Sequence, residues 1–285
     1  MKPISIVSLV FLVLFSGCIQ KIAMNSLGAI MDNGFAVMNE EQDLDIADKA
    51  IASDLKLLEA VLKSDPGNEH LLQLACQGYC SYALGFVEDD SAARAVVFYE
   101  RGKEYGMKIL RRHGFAPAES VDQAGYAAAL AKLSTDELPA VFWTAIGWGS
   151  SVYLNATDPA ALADLPKIEA MMQWVIQNNP SYFYGGAHFF LGTLYGTTPK
   201  VLGGKPDESR KHFEQAVNIA DGKFLMTYVY FARSYAVQTQ NQELFDSLLT
   251  RVDTTSLDIL PEARLSNAIA KQKALLLRSK EEQLF

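Results

Sequence analysis

Tyr184-Gly-Gly-Ala-His-Phe-Phe-Leu-Gly-Thr-Leu-Tyr195, the segment from Gly196 to Lys205, and Ser209-Arg-Lys-His-Phe-Glu-Gln-Ala216 decide the fold class. Leu191, Gly192 and Tyr195 set a small residue between large ones at helical spacing. Ser209, Phe213 and Ala216 answer with small, aromatic, small. Two such helices make a hairpin whose axes approach most closely at the small positions. These are the spacings of the two helices of a tetratricopeptide repeat, whose small positions lie about 12 apart in a 34-residue unit. Gly192 and Ser209 are 17 positions apart, so roughly five residues are inserted between the helices. The insertion carries Pro199, Gly203 and Gly204. The stretch therefore reads as a helical scaffold with one unusual loop.

Working outward, the chain keeps the same rhythm. An apolar, glycine-containing segment from Ile22 to Met38 reads as one helix lying against the domain. Asp43 to Lys63 is amphipathic, with Ile46, Ala50, Leu57, Leu58, Val61 and Leu62 as its apolar positions. Asp65-Pro-Gly-Asn68 then turns the chain into a hairpin of His70–Phe86 and Ser91–His113. The acidic turn Glu88-Asp89-Asp90-Ser91 supplies the N-cap of the second helix. Val121 to Leu133 is alanine-rich. Leu138 to Leu154 is so apolar that it reads as a central buried helix. Ile168, Met171, Met172, Val175 and Ile176 form the stripe of the next helix, which Asp164 and Pro166 open. Beyond the opening hairpin come a pair at Tyr228–Val237 and Leu244–Val252, then a terminal helix starting at Leu260-Pro261. The predicted fold is all-α: an irregular tetratricopeptide-like helical hairpin array with a capping C-terminal helix, over residues 41–285.

Composition narrows the function. The 285 residues are 49% hydrophobic and carry a net charge of −8, enough apolar mass for a large core. No Lys/Arg stripe is present, which argues against nucleic acid, whose affinity rests on neutralising many phosphates. Arg111-Arg112-His113 precedes Gly114, where cations at a helix C-terminus suit the dipole. At the N-terminus, Lys2 and the apolar run Ile4–Phe15 read as an export signal, residues 1–17. Phe15-Ser16-Gly17-Cys18 resembles a lipobox, so Cys18 is the expected lipidation site. Residues 18–40 then form a lipid-anchored tether and first helix, with the protein held in the periplasm. Ile19 lacks the acidity that retains some lipoproteins at the inner membrane, which favours the outer one. Cys76 and Cys80, four apart on one helix face, read as buried thiols.

Reactive constellations are not evident. His70, His113, His188 and His212 are scattered, although His188 and His212 could meet across the opening hairpin. No Gly-x-Ser-x-Gly elbow occurs, and Gly203-Gly204-Lys205 is followed by Pro206 where a phosphate loop needs Ser or Thr. No cofactor and no metal are expected. What stands out is aromatic residues beside small ones: Trp143 and Trp148 flank Gly147 and Gly149, and Tyr182, Phe183 and Tyr184 precede Gly185-Gly186. The pattern fits helix crossings in a core. It also fits an apolar passage walled by rings.

These segments resemble one family. Phe142-Trp-Thr-Ala-Ile-Gly-Trp-Gly149, Tyr182-Phe-Tyr-Gly-Gly-Ala-His188, Leu191-Gly192, Pro199-Lys-Val-Leu-Gly-Gly204, His212-Phe-Glu-Gln-Ala216 and Arg264-Leu-Ser-Asn-Ala-Ile-Ala270 are similar to the T component of tripartite ATP-independent periplasmic (TRAP) transporters. The resemblance runs from about Asp45 to Phe285. It implies a non-enzymatic auxiliary of solute import that partners the periplasmic substrate-binding (P) component, expected as a homotrimer enclosing a hydrophobic passage. Organic acids or more hydrophobic small ligands are the implied solutes. Residues assigned to the passage or partner surface are Trp143, Trp148, Tyr182, Phe183, Tyr184, Tyr195, Gly203 and Gly204. The alternative is a general envelope scaffold lipoprotein recruiting assembly or secretion factors.

Overall fold

Several helix starts in this protein are set by short polar side chains that accept otherwise orphaned backbone N–H groups. Asp43 Oδ1 accepts from the Asp45 and Ile46 amides at 2.9 and 3.1 Å. Asn68, Ser91, Asp122 and Asn241 cap four further helices in the same way. The expected cap at Asp164 is different: its carboxylate binds the Lys167 ammonium at 3.1 Å and makes no capping bond. The computed structural model describes residues 28, 30–117, 121–198 and 204–285. The signal segment, Cys18, and residues 199–203 of the inserted loop lie outside the described residues.

The described chain is all-α. After α1 (residues 30–39) come α2 (Leu44–Ser64), α3 (Glu69–Tyr82) and α4 (Ala92–Arg112), with a π-helical turn over Ala83–Val87 between the last two. Then follow α5 (Gln123–Leu130), α6 (Leu138–Leu154), the single turn α7 (Pro159–Leu162), α8 (Leu165–Asn178), α9 (Tyr182–Thr197) and α10 (Pro206–Ile219). The C-terminal part holds α11 (Met226–Tyr230), continued by π-helix over Phe231–Ala236, then α12 (Gln242–Thr254), α13 (Arg264–Arg278) and the last turn α14 (Glu281–Leu284). No strand occurs among the described residues.

The opening hairpin packs as its spacing predicts. Ser209 Oγ donates to the Gly192 carbonyl at 2.6 Å. A Cβ on Gly192 would sit 2.9 Å from the Phe213 ring, so only hydrogen fits there. The same logic brings α4 against α6, where a Cβ on Gly147 would stand 2.8 Å from the Tyr99 carbonyl oxygen. Helix α6 is the central element, packed by α3, α4 and α8, and Cys76 and Cys80 are buried free thiols beneath it. The face that α2 buries runs through Ala47, Leu55, Leu58 and Leu62, a step away from the predicted stripe. Ile46 and Leu57 are more than half exposed, and so is Leu275 of α13.

Two hydrophobic cores result. The first gathers Leu58, Leu71, Tyr79, Phe142, Ile168 and Leu191; the second gathers Phe213, Phe231, Phe245, Leu249 and Ile269. Ile51, Leu84, Phe86 and Phe183 pack against both and mark the seam.

A buried ion cluster crosses that seam. The side chain of Glu88, in the turn before α4, is only 7% exposed and accepts from Tyr99 and Tyr230 hydroxyls, each at 2.6 Å. The Lys273 ammonium of α13 stands 3.0 Å from Glu88 and 2.5 Å from Asp89, and Arg233 lies 3.6 Å from Glu88. The acidic turn is thus more than the cap supplier expected from sequence; only Ser91 caps. Burial alone would push the Glu88 carboxyl up, but Lys273, Arg233 and the two hydroxyls outweigh it and hold it below the usual carboxylate range. A carboxyl lowered in this way stabilises the fold at neutral pH, and that contribution disappears as pH falls through its folded-state pKa.

Glu88→Ala strips Lys273 of one anion and leaves two buried hydroxyls without an acceptor. Chemical denaturation should show a loss of about 3 kcal/mol or more, and Glu88→Gln, which keeps an acceptor, a smaller one. A loss under about 1 kcal/mol for Glu88→Ala, the level of an exposed pair, would contradict the role assigned to the cluster.

Candidate functional site

The seam holds a cavity of about 280 Å³, close to the lower end of small-molecule sites. Its walls come from both cores. Helix α1 brings Met31, Phe35 and Met38, and α2 brings Ile51, Leu55 and Leu58. Helix α6 contributes Phe142, Trp143 and Ile146, and the opposite side is closed by Phe224, Met226, Leu265 and Ile269. Ile30 and Leu57 also line it, yet they are 64% and 53% exposed. Apolar side chains that face both a cavity and solvent mark its mouth.

Local backbone conformation shapes one wall. α9 does not start as a regular helix, because Phe183, Tyr184 and Gly185 have φ of 47, 58 and 76°. Only glycine adopts this left-handed conformation freely; for Phe183 and Tyr184 it costs about 1–2 kcal/mol each. The turn is held by its rings. Phe183 meets Trp143 edge-on at 4.8 Å and Phe224 at 5.9 Å, while Tyr184 stacks on Phe224 at 4.9 Å. Backbone strain persists where surroundings over-determine it, and it concentrates at functional sites. Here it turns two aromatic side chains into the cavity lining.

Of the residues singled out in the sequence, Trp143, Phe183 and Tyr184 meet at the cavity. Tyr182 packs one layer behind, edge-on to Phe142 at 5.2 Å. Trp148 lies elsewhere, beneath the Lys103 and Lys167 ammonium groups and beside Tyr126. Tyr195 donates to Glu169 at 2.6 Å and carries the Lys205 ammonium 4.6 Å above its ring. Gly204 ends the inserted loop, and Gly203 falls outside the described residues. The contributions of α1, α2 and α13 were not singled out. Met31, Phe35 and Met38 do recur at helical spacing, but nothing local says which surface they cover.

His188 and His212 do meet across the α9–α10 hairpin, Nδ1 to Nδ1 at 2.9 Å. Among the described residues no third metal-ligating side chain joins them. Burial, then the neighbouring His212, pushes His188 down to about 4. Burial also lowers His212, against the pull of Glu208 and Glu169. The two rings share one hydrogen bond, so one nitrogen must donate and the other accept.

An unfolded histidine titrates near 6.5. Between about 6.5 and about 4 the unfolded chain therefore takes up a proton that the folded pair refuses, and stability falls with pH through that window. His188→Gln should flatten the stability–pH profile between those limits, as followed by urea denaturation at several pH values. His113, raised first by its bond to Glu69, works in the opposite direction in both proteins and cancels from the comparison. Parallel profiles for the two proteins would contradict the assignment.

No helix among the described residues is long and apolar enough to cross a membrane. A family model described as TRAP transporter T-component matches residues 40–285, which takes in both cores and the cavity walls from α2 onward. A search of curated proteins returned no match.

Proposed function

Because the chain belongs to the TRAP transporter T-component family, we propose that it is a non-enzymatic auxiliary of TRAP-type solute import, binding the transporter's periplasmic P component and offering its solute a hydrophobic passage. The observation that carries this reading is the apolar cavity at the seam, opening between exposed Ile30 and Leu57. A protein that only recruited partners would gain nothing from a ring-lined cavity or from the strained turn at Phe183 and Tyr184 that shapes it.

The anchor fits the same reading. With a lipid on Cys18, the twelve residues to Ile30 reach at most roughly 40 Å. The cavity mouth then stays near the membrane face, in the periplasm and preferentially at the outer membrane, where the P component diffuses. Assembly as a homotrimer would present several mouths to one partner. Helix α10, which carries His212 of the His188–His212 pair, offers a second surface for that contact.

Crosslinking in intact cells, followed by identification of the captured protein, tests the proposal. The expected product joins this protein to a TRAP solute-binding component, and light scattering of the purified mature chain should give three times the protomer mass. Capture of secretion or assembly factors alone, by a strict monomer, would overturn it in favour of a scaffold.

A further inference from the structure

The outer face of α4 carries a regular stripe. Arg94, Phe98, Arg101, Tyr105, Lys108 and Arg112 follow one another at alternating steps of four and three, so they line one side of the helix over about 27 Å. The rings hold the cations in place. The Arg94 guanidinium stands 5.2 Å from the centre of the Phe98 ring, that of Arg101 5.2 Å from Tyr79 of α3, and the Lys108 ammonium 4.8 Å from Tyr105. Arg94, Lys108 and Arg112 are exposed, and Arg101 is partly so. Arg94, Arg101 and Lys108 are seven apart, which is why no basic run shows in the sequence.

Most of these cations lack a carboxylate. Arg101 lies 3.5 Å from Glu59, and beside the stripe Arg111 lies 3.6 Å from Glu104. Among the described residues no carboxylate stands within ion-pair distance of Arg94, Lys108 or Arg112, nor of Lys63, exposed in the last turn of α2. The other acids beside the stripe are engaged: Asp48 accepts from the Tyr82 hydroxyl and Asp65 from the Asn68 amide. The chain as a whole carries −8, but at physiological salt exposed charges more than about 8 Å away are largely screened. What a facing surface meets at α4 is therefore positive.

One end of the stripe meets the start of the described chain. Arg112 donates to the Gly67 carbonyl, and His113 Nε2 stands 3.0 Å from Glu69, so the turn between α2 and α3 is tied to the C-terminus of α4. The next residue, His70, pairs with Asp32 at 2.9 Å, and a Cβ on Gly28 would sit 3.4 Å from its ring. Gly28 comes ten residues after Cys18, a reach of at most roughly 36 Å. A lipid on Cys18 thus brings the basic end of α4 to the bilayer surface. We propose that the α4 stripe rests on anionic phospholipid headgroups of the membrane that holds the anchor, and that this contact fixes how the protein stands there. The inference rests on the anchored reading above and sharpens it: acyl chains hold the protein, and α4 orients it.

The test floats the purified mature chain, made without its signal segment so that Cys18 carries no lipid, with vesicles of pure phosphatidylglycerol or pure phosphatidylcholine at physiological salt. Each basic residue at an anionic surface contributes about fivefold in affinity, so phosphatidylglycerol should be favoured by about tenfold or more. High salt should remove the preference. Arg94→Glu with Lys108→Glu, both exposed, should weaken binding to phosphatidylglycerol by about tenfold or more. Arg251→Glu with Lys280→Glu, the same change of charge on exposed residues near the C-terminus, should leave it nearly unchanged. Equal binding to the two lipids, or equal losses in the two variants, would overturn the inference. So would a stripe variant that keeps its lipid binding but loses its crosslink to the solute-binding component, because the stripe then faces a protein. Metabolic labelling with palmitate reads the anchor separately. An unlabelled chain overturns the anchored reading and the orientation with it, whereas a labelled chain without lipid preference overturns this inference alone.

Discussion

The spacing of the two cores, and with it the cavity between them, depends on a carboxylate buried at their seam. Glu88 draws a hydroxyl from α4, another from α11, a cation from the π-helical segment after α11 and a fourth partner from α13. Two helical assemblies with apolar faces would otherwise collapse onto one another to remove as much surface from water as possible. A cluster of charges tolerates no such collapse, since each member must keep its partners at hydrogen-bond distance. Polar bonding across the seam thereby sets a spacing that apolar packing alone would not choose. The rest of the seam is left as a cavity of about 280 Å³.

Around that spacing, the two cores supply different things. The first provides a rigid wall, where close helix approach at Gly147 locks α6 against α4 and so fixes the position of Trp143. The second provides Phe224, against which the left-handed turn at Phe183 and Tyr184 is braced. A turn that costs energy in isolation is held only because both cores are present. The geometry of the cavity is therefore a property of the whole chain, and damage to either core reaches it.

How much of this is legible in the sequence follows from the range of each interaction. The α9–α10 hairpin could be read because Gly192, Ser209 and Phe213 repeat a local spacing, and the structure joins them as that spacing predicts. Helix α6 was equally plain, since a run as apolar as Leu138–Leu154 has to be buried. Trp143, Phe183 and Tyr184 stood out as aromatics beside glycines. Tyr195 and Trp148 carried the same signal and turned out to serve other contacts, so that signal marks tight packing and not its purpose. Glu88 was opaque: an acid in an acidic turn is ordinarily solvated, and Lys273 lies 185 residues away. Left-handed backbone at two bulky aromatics was opaque for the same reason, because local propensity opposes it and only distant packing enforces it.

The central claim is that the seam between the cores is where a small apolar molecule resides. Diffraction from crystals of the mature protein soaked with a bromine-substituted undecanone tests it most directly, because anomalous scattering locates the halogen without reference to the surrounding structure. The account predicts one bromine site inside the seam, among Phe142, Phe183 and Ile269. Bromine found only on the protein surface, with the seam unchanged, would contradict it.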